Sequence, residues 1–215
     1  MNNHLLVIFP HPDDEAFGVS GTIAQHTKKG LPVTYVCLTL GQMGRNMGNP
    51  PFATRESLPL IRLKELEDAC EAVGITDLRR FGLRDKTIEF EDEKVLAERF
   101  LTVIKEVNPA TLITFYPGYS VHPDHEATGR AVVRAVQSLP ENERPELLCV
   151  AFAKNSEEDL GAPHIVNDVS DVFEEKMNCI KAHKSQTQWL VDSVVEKDPK
   201  MLAWVQNERF WRYPV

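Results

Sequence analysis

Five consecutive apolar residues, Leu5-Leu6-Val7-Ile8-Phe9, run directly into Pro10-His11-Pro12-Asp13-Asp14-Glu15. A run of this length is too short to span a membrane. It suits an interior strand of a parallel sheet, covered on both faces. Pro10 and Pro12 withdraw two backbone donors, so the strand has to end there. Residues 15–29 then carry a helical pattern. The histidine and the carboxylates therefore stand where a strand hands over to a helix. That carboxyl end is where open α/β sheets hold their ligands, and this mixture of donors fits a divalent metal of hard to borderline character.

The event recurs. Thr111-Leu112-Ile113-Thr114-Phe115 is a second short apolar and β-branched run, followed by a loop over 116–121, by His122-Pro123-Asp124-His125 and by another helical segment. His11 and Asp14 are three residues apart, as are His122 and His125. Two such pairs set side by side supply three ligands to one ion, with polar groups left for chemistry. Blander readings exist for each piece. An aspartate after a strand caps a helix, acidic residues suit the first helical turn, and proline suits a helix start. None of them explains two His-Pro-Asp tripeptides at two strand-to-helix junctions. Two imidazoles and one carboxylate suit zinc or another borderline divalent ion, whereas magnesium and calcium prefer oxygen alone. Three protein ligands leave one position open, the mark of a catalytic rather than a structural site.

The rest of the chain alternates strands and helices. A strand over 4–9, a helix over 15–29 stopped by Gly30 and a strand over 32–39 form a βαβ unit, which implies parallel strands and a right-handed crossover. Residues 40–56, broken by Gly41, Gly44, Gly48, Pro50 and Pro51, form a long loop expected to overhang the same face as His11. Helices are expected over 58–73, 92–107, 125–138 and 171–182, and strands over 78–83, 111–115, 147–153 and 164–167. Residues 183–188 read as a polar break, and 198–213 as a helical tail bearing Trp204, Phe210, Trp211 and Tyr213. The pattern predicts an α/β three-layer sandwich around a mostly parallel, Rossmann-like sheet, with one domain over residues 1–215.

Composition narrows the function. A net charge of −8 disfavours nucleic acid or an anionic membrane as partner. Cys37, Cys70, Cys149 and Cys179 are widely spaced and read as buried thiols of a reduced compartment. With no signal-peptide pattern and no long apolar run, a cytoplasmic protein is expected. Gly41 to Gly48 matches no nucleotide-binding fingerprint. His183 is either a helix-end cation or part of the site. The aromatics of the tail either form a subunit contact, giving a homo-oligomer, or close the chain's own core.

These motifs resemble the LmbE-like, or PIG-L-like, family of zinc-dependent N-acetylglucosamine deacetylases. The resemblance rests on His11–Glu15 and His122–His125, and extends to Arg62-Leu63-Lys64-Glu65 and to His183-Lys184-Ser185-Gln186. It implies one zinc ion on His11, Asp14 and His125, Asp13 as general base, and His122 as an electrostatic partner oriented by Asp124. Gly44-Arg45-Asn46-Met47-Gly48 and Ala53-Thr54-Arg55-Glu56-Ser57 are similar to the bacillithiol branch, which deacetylates N-acetylglucosaminyl malate. Leu40 departs from the wider family, which often has Asp there. An acidic substrate would explain Arg45, Asn46 and Arg55 on a loop over the site, since arginine binds carboxylates bidentately. The alternatives are an amidase of another N-acetyl sugar conjugate, or a non-catalytic metal- or sugar-binding protein.

Overall fold

Every residue of the strand Leu5–Phe9 is buried, and alternate side chains enter opposite layers. Leu5, Val7 and Phe9 join one apolar core, and Leu6 and Ile8 join the other. A strand covered on both faces explains the unbroken apolar run. The computed structural model describes residues 3–196 and 198–215. In chain order the elements are β1 (Leu5–Phe9), α1 (Asp14–Gly18), α2 (Ser20–Lys28), β2 (Val33–Cys37), α3 (Leu58–Ala72), β3 (Asp77–Arg80), α4 (Glu93–Val107), β4 (Thr111–Phe115), α5 (Pro123–Gln137), β5 (Glu146–Val150), α6 (Ser156–Leu160), β6 (Ile165–Asp168), α7 (Phe173–Ala182), α8 (Lys184–Val195), α9 (Pro199–Gln206) and β7 (Asn207–Arg212).

The strands form one seven-stranded sheet in the order β3-β2-β1-β4-β5-β7-β6. β3 to β5 are parallel, and β7 runs antiparallel to both β5 and β6. One core packs α2, α3 and α7 on the sheet, and the other packs α4 and α5. This is the expected three-layer α/β architecture. The chain leaves β1 for β2 and β3 on one side, then crosses over to β4 and β5 on the other. Successive loops thus diverge between β1 and β4 and open a crevice there. The two His-Pro-Asp segments follow β1 and β4, so each stands on one side of that crevice.

Four expectations are corrected. The helix over 15–29 is two helices, interrupted at Val19. The N–H groups of Gly21 and Thr22, at the restart, donate to Glu208 at 2.8 and 2.7 Å. Glu208 belongs to β7 and is paired with Lys176 at 2.5 Å, both side chains being buried. A carboxylate from the far end of the chain thus caps the second helix. The polar stretch 183–188 is not a break beyond His183, because α8 starts at Lys184. The tail is not one helix: α9 ends at Gln206 and β7 takes over, burying Phe210 and Trp211. Strand β5 also ends earlier than expected, at Val150. No helix among the described residues is long and apolar enough to cross a membrane.

Candidate metal centre and the loop above it

After β1 the backbone turns tightly. The His11 N–H donates to Asp14 Oδ2 at 2.8 Å, which draws the Asp14 carboxylate back over the strand end. Asp13 adopts a left-handed backbone, φ 104°. That conformation costs a non-glycine residue on the order of 1–3 kcal/mol and persists only where its surroundings hold it. Here the Asp13 N–H is held by Glu15 Oε2 at 3.1 Å, and Glu15 in turn is bonded by Tyr35 and His183, at 2.9 and 2.5 Å. The turn separates the two adjacent aspartates. Asp14 faces His11 and His125, while Asp13 pairs with Arg62 at 2.9 Å.

Three donor groups converge. His11 Nδ1 lies 3.1 Å from His125 Nε2, and the Asp14 carboxylate lies 3.4 Å from the first and 3.2 Å from the second. Ligands about 2 Å from a tetrahedral ion stand about 3.3 Å apart, so these edges are those of a zinc-sized site. The protons fit as well. His125 Nδ1 faces the Ser120 carbonyl at 3.1 Å, which only accepts, so Nδ1 carries the proton and Nε2 a lone pair. His11 Nε2 faces Asp124 Oδ2 and Asp85 Oδ1 at 3.3 and 3.2 Å, which leaves its lone pair on Nδ1. In this tautomer both nitrogens present lone pairs to one point, where a proton or a cation fits. Carboxylate or carbonyl partners on the far nitrogens are the usual means of orienting metal-binding histidines. The buried His/Asp group can hold a metal ion. A ring nitrogen of His122 also lies within 4.8 Å of nitrogens of His11 and His125.

Without a cation the same carboxylates favour a proton on His11, which a metal would have to displace. Burial opposes a proton on His11, but the hydrogen bonds its ring donates to Asp124, Asp14 and Asp85 outweigh it and hold the imidazole well above its usual pKa. Burial likewise opposes ionisation of Asp14, and His125 and His11 overcome it, so its pKa is lowered. Asp13 behaves differently: burial pushes its carboxyl up to about 6, against the pull of Arg62. His122 is held below its usual value by burial and then by the neighbouring His11 and His125.

The loop over 40–56 is fastened by the two subsidiary motifs. Arg62 donates to Gly41 O at 3.1 Å and to Pro12 O, and so joins the loop to the turn after β1. A side chain at Gly41, where φ is +59°, would lie on that guanidinium. Glu65, one turn later, accepts from Ser185 N and Oγ, both at 2.7 Å. Ser185 O and Gln186 Nε2 then bond the loop at Gly48 N and Asn46 O, at 3.3 and 3.1 Å. The Arg-x-x-Glu and His-x-Ser-Gln segments therefore brace one another and the loop.

Of the residues expected in the site, His11, Asp13, Asp14, His122 and His125 share one cavity of about 440 Å³, and Arg45 stands on it. That volume falls within the range of small-molecule pockets. Three expectations need correction. The Asp124 carboxylate orients His11 rather than His122; it is the Asp124 N–H that meets His122, at Nδ1. Arg55 is bonded to Gln42 O and Gly44 O, at 3.1 and 2.8 Å, and does not line this cavity. Asn46 faces a separate cleft with Ser185 and Trp189. Asp85, buried at 4% exposure, was missed. Its only signal was its place just past the weak strand over 78–83, the same carboxyl end that carries His11. His183 is buried and bonded to Glu15, so it serves the turn after β1 instead of ending a helix as a solvated cation.

A family model described as GlcNAc-PI de-N-acetylase (PIG-L) matches residues 6–136. The chain is 54% identical to a Bacillus cereus protein named as a probable N-acetyl-alpha-D-glucosaminyl L-malate deacetylase 2, covering 99% of each. It is 49% identical to a Bacillus subtilis protein of the same name, covering 99% of this chain and 98% of that one. Among solved structures it is similar to N,N'-diacetylchitobiose deacetylase from Pyrococcus horikoshii, with a TM-score of 0.73 at 22% identity over 99% of this chain and 84% of that one. At that identity the likeness establishes the fold alone.

Proposed function

The chain belongs to the PIG-L family, and we propose that it removes the acetyl group from N-acetyl-α-D-glucosaminyl L-malate, a step of bacillithiol biosynthesis, with one zinc ion held by His11, Asp14 and His125. The names of its two Bacillus relatives, similar along nearly their whole length, support the substrate. The observation that carries the chemistry is the triangle of donor groups with edges of 3.1–3.4 Å, next to an aspartate that stays outside it.

When bound, zinc polarises a carbonyl oxygen and lowers the pKa of water. Asp13 takes a proton from the water that attacks the acetamide carbon. It returns that proton to the departing amine nitrogen as the carbon–nitrogen bond breaks, leaving acetate and a free glucosamine amine. General acid–base work of this kind contributes about 10²–10⁴-fold. Arg62 favours the ionised form of Asp13 and aims it. His122 accepts the Asp124 N–H at Nδ1, so its proton is on Nε2. That N–H donates to the carbonyl oxygen as charge develops there. Asp124 and Asp85 hold His11 in the tautomer that presents Nδ1.

Acetate release from the zinc-loaded protein tests the reading, with N-acetylglucosaminyl malate, free N-acetylglucosamine and diacetylchitobiose as substrates. The malate conjugate should give the highest kcat/KM, a chelator should abolish turnover, and zinc should restore it. Equal turnover of the three sugars would remove malate from the assignment. Stoichiometric zinc with no acetate from any of them would make the chain a binding protein.

A further inference from the structure

Among the described residues, four non-glycine residues have a left-handed backbone: Asp13, Lys86, Asn108 and Val121. Asn108 ends α4, where such a residue is ordinary. The other three stand in loops at the metal centre, and Lys86 has no part in the chemistry described so far. Its φ of 63° is fixed by its own N–H, which donates to Asp124 Oδ2 at 2.7 Å. The neighbouring Asp85 binds His11 on one side and accepts the Met43 N–H at 2.7 Å on the other. The Lys86 segment and the loop that carries Arg45 are therefore tied together through one buried carboxylate.

Both side chains line the cavity of His11 and Asp13, and both are exposed. Among the described residues neither forms an ion pair, whereas Arg62, on the same cavity, is committed to Asp13. The cavity lining has three carboxylates (Asp13, Asp14 and Asp85) and three cations (Arg45, Arg62 and Lys86). A divalent ion leaves it with surplus positive charge, even counting Asp124 behind His11. The protein as a whole has a net charge of −8, so such a surplus is local. Cations held on a braced frame without a partner carboxylate match an anionic ligand of more than one charge.

We infer that Lys86 and Arg45 form a two-cation clamp that selects an N-acetylglucosaminide whose aglycone is a dicarboxylate, with Lys86 as a specificity-determining residue. The inference rests on the deacetylase reading given above and assigns the residue that recognises the acidic half of its substrate. The left-handed backbone places Lys86 on a turn held to His11 through Asp85 and to Asp124 through its own N–H, so its backbone is fixed at the rim of the cavity.

The test compares N-acetylglucosaminyl malate with methyl N-acetylglucosaminide, on zinc-loaded wild type, Lys86→Gln and Lys86→Arg. Binding is read by calorimetry, and turnover by acetate release. Wild type should prefer the malate conjugate, and the preference should shrink with added salt, as screened charges require. Lys86→Gln should lose roughly tenfold or more in affinity and in kcat/KM for the malate conjugate, the usual range for a hydrogen bond between charged groups. It should keep the neutral glycoside within about twofold, and Lys86→Arg should recover most of the loss. If wild type prefers the malate conjugate and Lys86→Gln keeps that preference, the deacetylase reading stands and the clamp is overturned. If Lys86→Gln loses both substrates equally, Lys86 supports the metal frame and the clamp is again overturned. If wild type does not distinguish the two, the malate reading falls and the clamp with it.

Discussion

Asp13 and Asp14 are identical side chains one bond apart, and the left-handed turn at Asp13 gives them different work. Asp14 completes the donor triangle, and Asp13 pairs with Arg62. Asp13→Asn should therefore keep zinc and fold while losing about 10²–10⁴-fold in kcat, the range for a missing general base. Asp14→Asn should lose zinc affinity first, with partial turnover regained in excess zinc. Metal content by mass spectrometry alongside acetate release checks both. A metal-free Asp13→Asn beside a metal-bound Asp14→Asn would exchange the two roles. The base has to be ionised, and burial lifts Asp13 to about 6. Protonation grows as pH falls, so wild-type kcat/KM should decline on the acid side. A bound cation favours the carboxylate, which places the limb below about 6. A profile flat down to pH 4 would remove Asp13 from the proton transfer.

Two elements meet at a buried ion pair. Glu208 on β7 caps the restarted helix α2 through Gly21 and Thr22, and neutralises Lys176 on α7. The contact ties the last strand to the first helical layer. Glu208→Gln keeps the shape but leaves the Lys176 ammonium buried without a counter-charge. Breaking one partner of such a pair typically costs about 3–5 kcal/mol. Urea unfolding should show a loss of that size, with no change in zinc stoichiometry. A variant as stable as wild type would mean that Lys176 escapes to solvent or unloads its proton. The same contact satisfies the N–H groups freed where Val19 separates α1 from α2. Helical periodicity from 15 to 29 is continuous, and the carboxylate that meets the interruption lies nearly two hundred residues away.

Across the whole molecule, one sheet carries the candidate metal centre near its middle, at the carboxyl ends of β1 and β4. The loops after β1 and β4 supply the candidate ligands from either side of the crevice, and β7, near the end of the chain, inserts between β5 and β6. We propose that residues 1–215 unfold as one cooperative unit, and calorimetry should give a single transition. A metal that binds the folded donor triangle and not the unfolded chain stabilises the fold by mass action. Zinc at a thousandfold excess over its Kd should add about 4 kcal/mol and raise Tm by several degrees. Asp14→Asn should abolish that rise. An unchanged wild-type Tm would argue that the triangle does not hold zinc. The aromatics behind the expectation of a homo-oligomer are otherwise engaged: Phe210 and Trp211 are buried within the chain, and Trp204 packs near Phe17.

Strand-to-helix junctions announce themselves locally, through apolar runs of fixed length and prolines that stop them. For that reason β1, β4, the parallel sheet and the convergence of His11, Asp14 and His125 were legible in the sequence. A motif that repeats at two strand ends also says that the ends are neighbours, because a sheet brings carboxyl ends to one edge. Partnerships between distant segments leave no such trace. Asp85 and Lys86 look like an ordinary charged turn until β3 places them against His11. Asp124 reads as a partner for His122, two residues away, yet its carboxylate faces His11 across the crevice. Arg55 reads as a ligand for an acid, yet backbone carbonyls of its own loop hold it. Hydrogen bonds and charges act through space, over a few ångströms, between residues a hundred or more apart in sequence. Only the tertiary structure could decide which carboxylate meets which histidine.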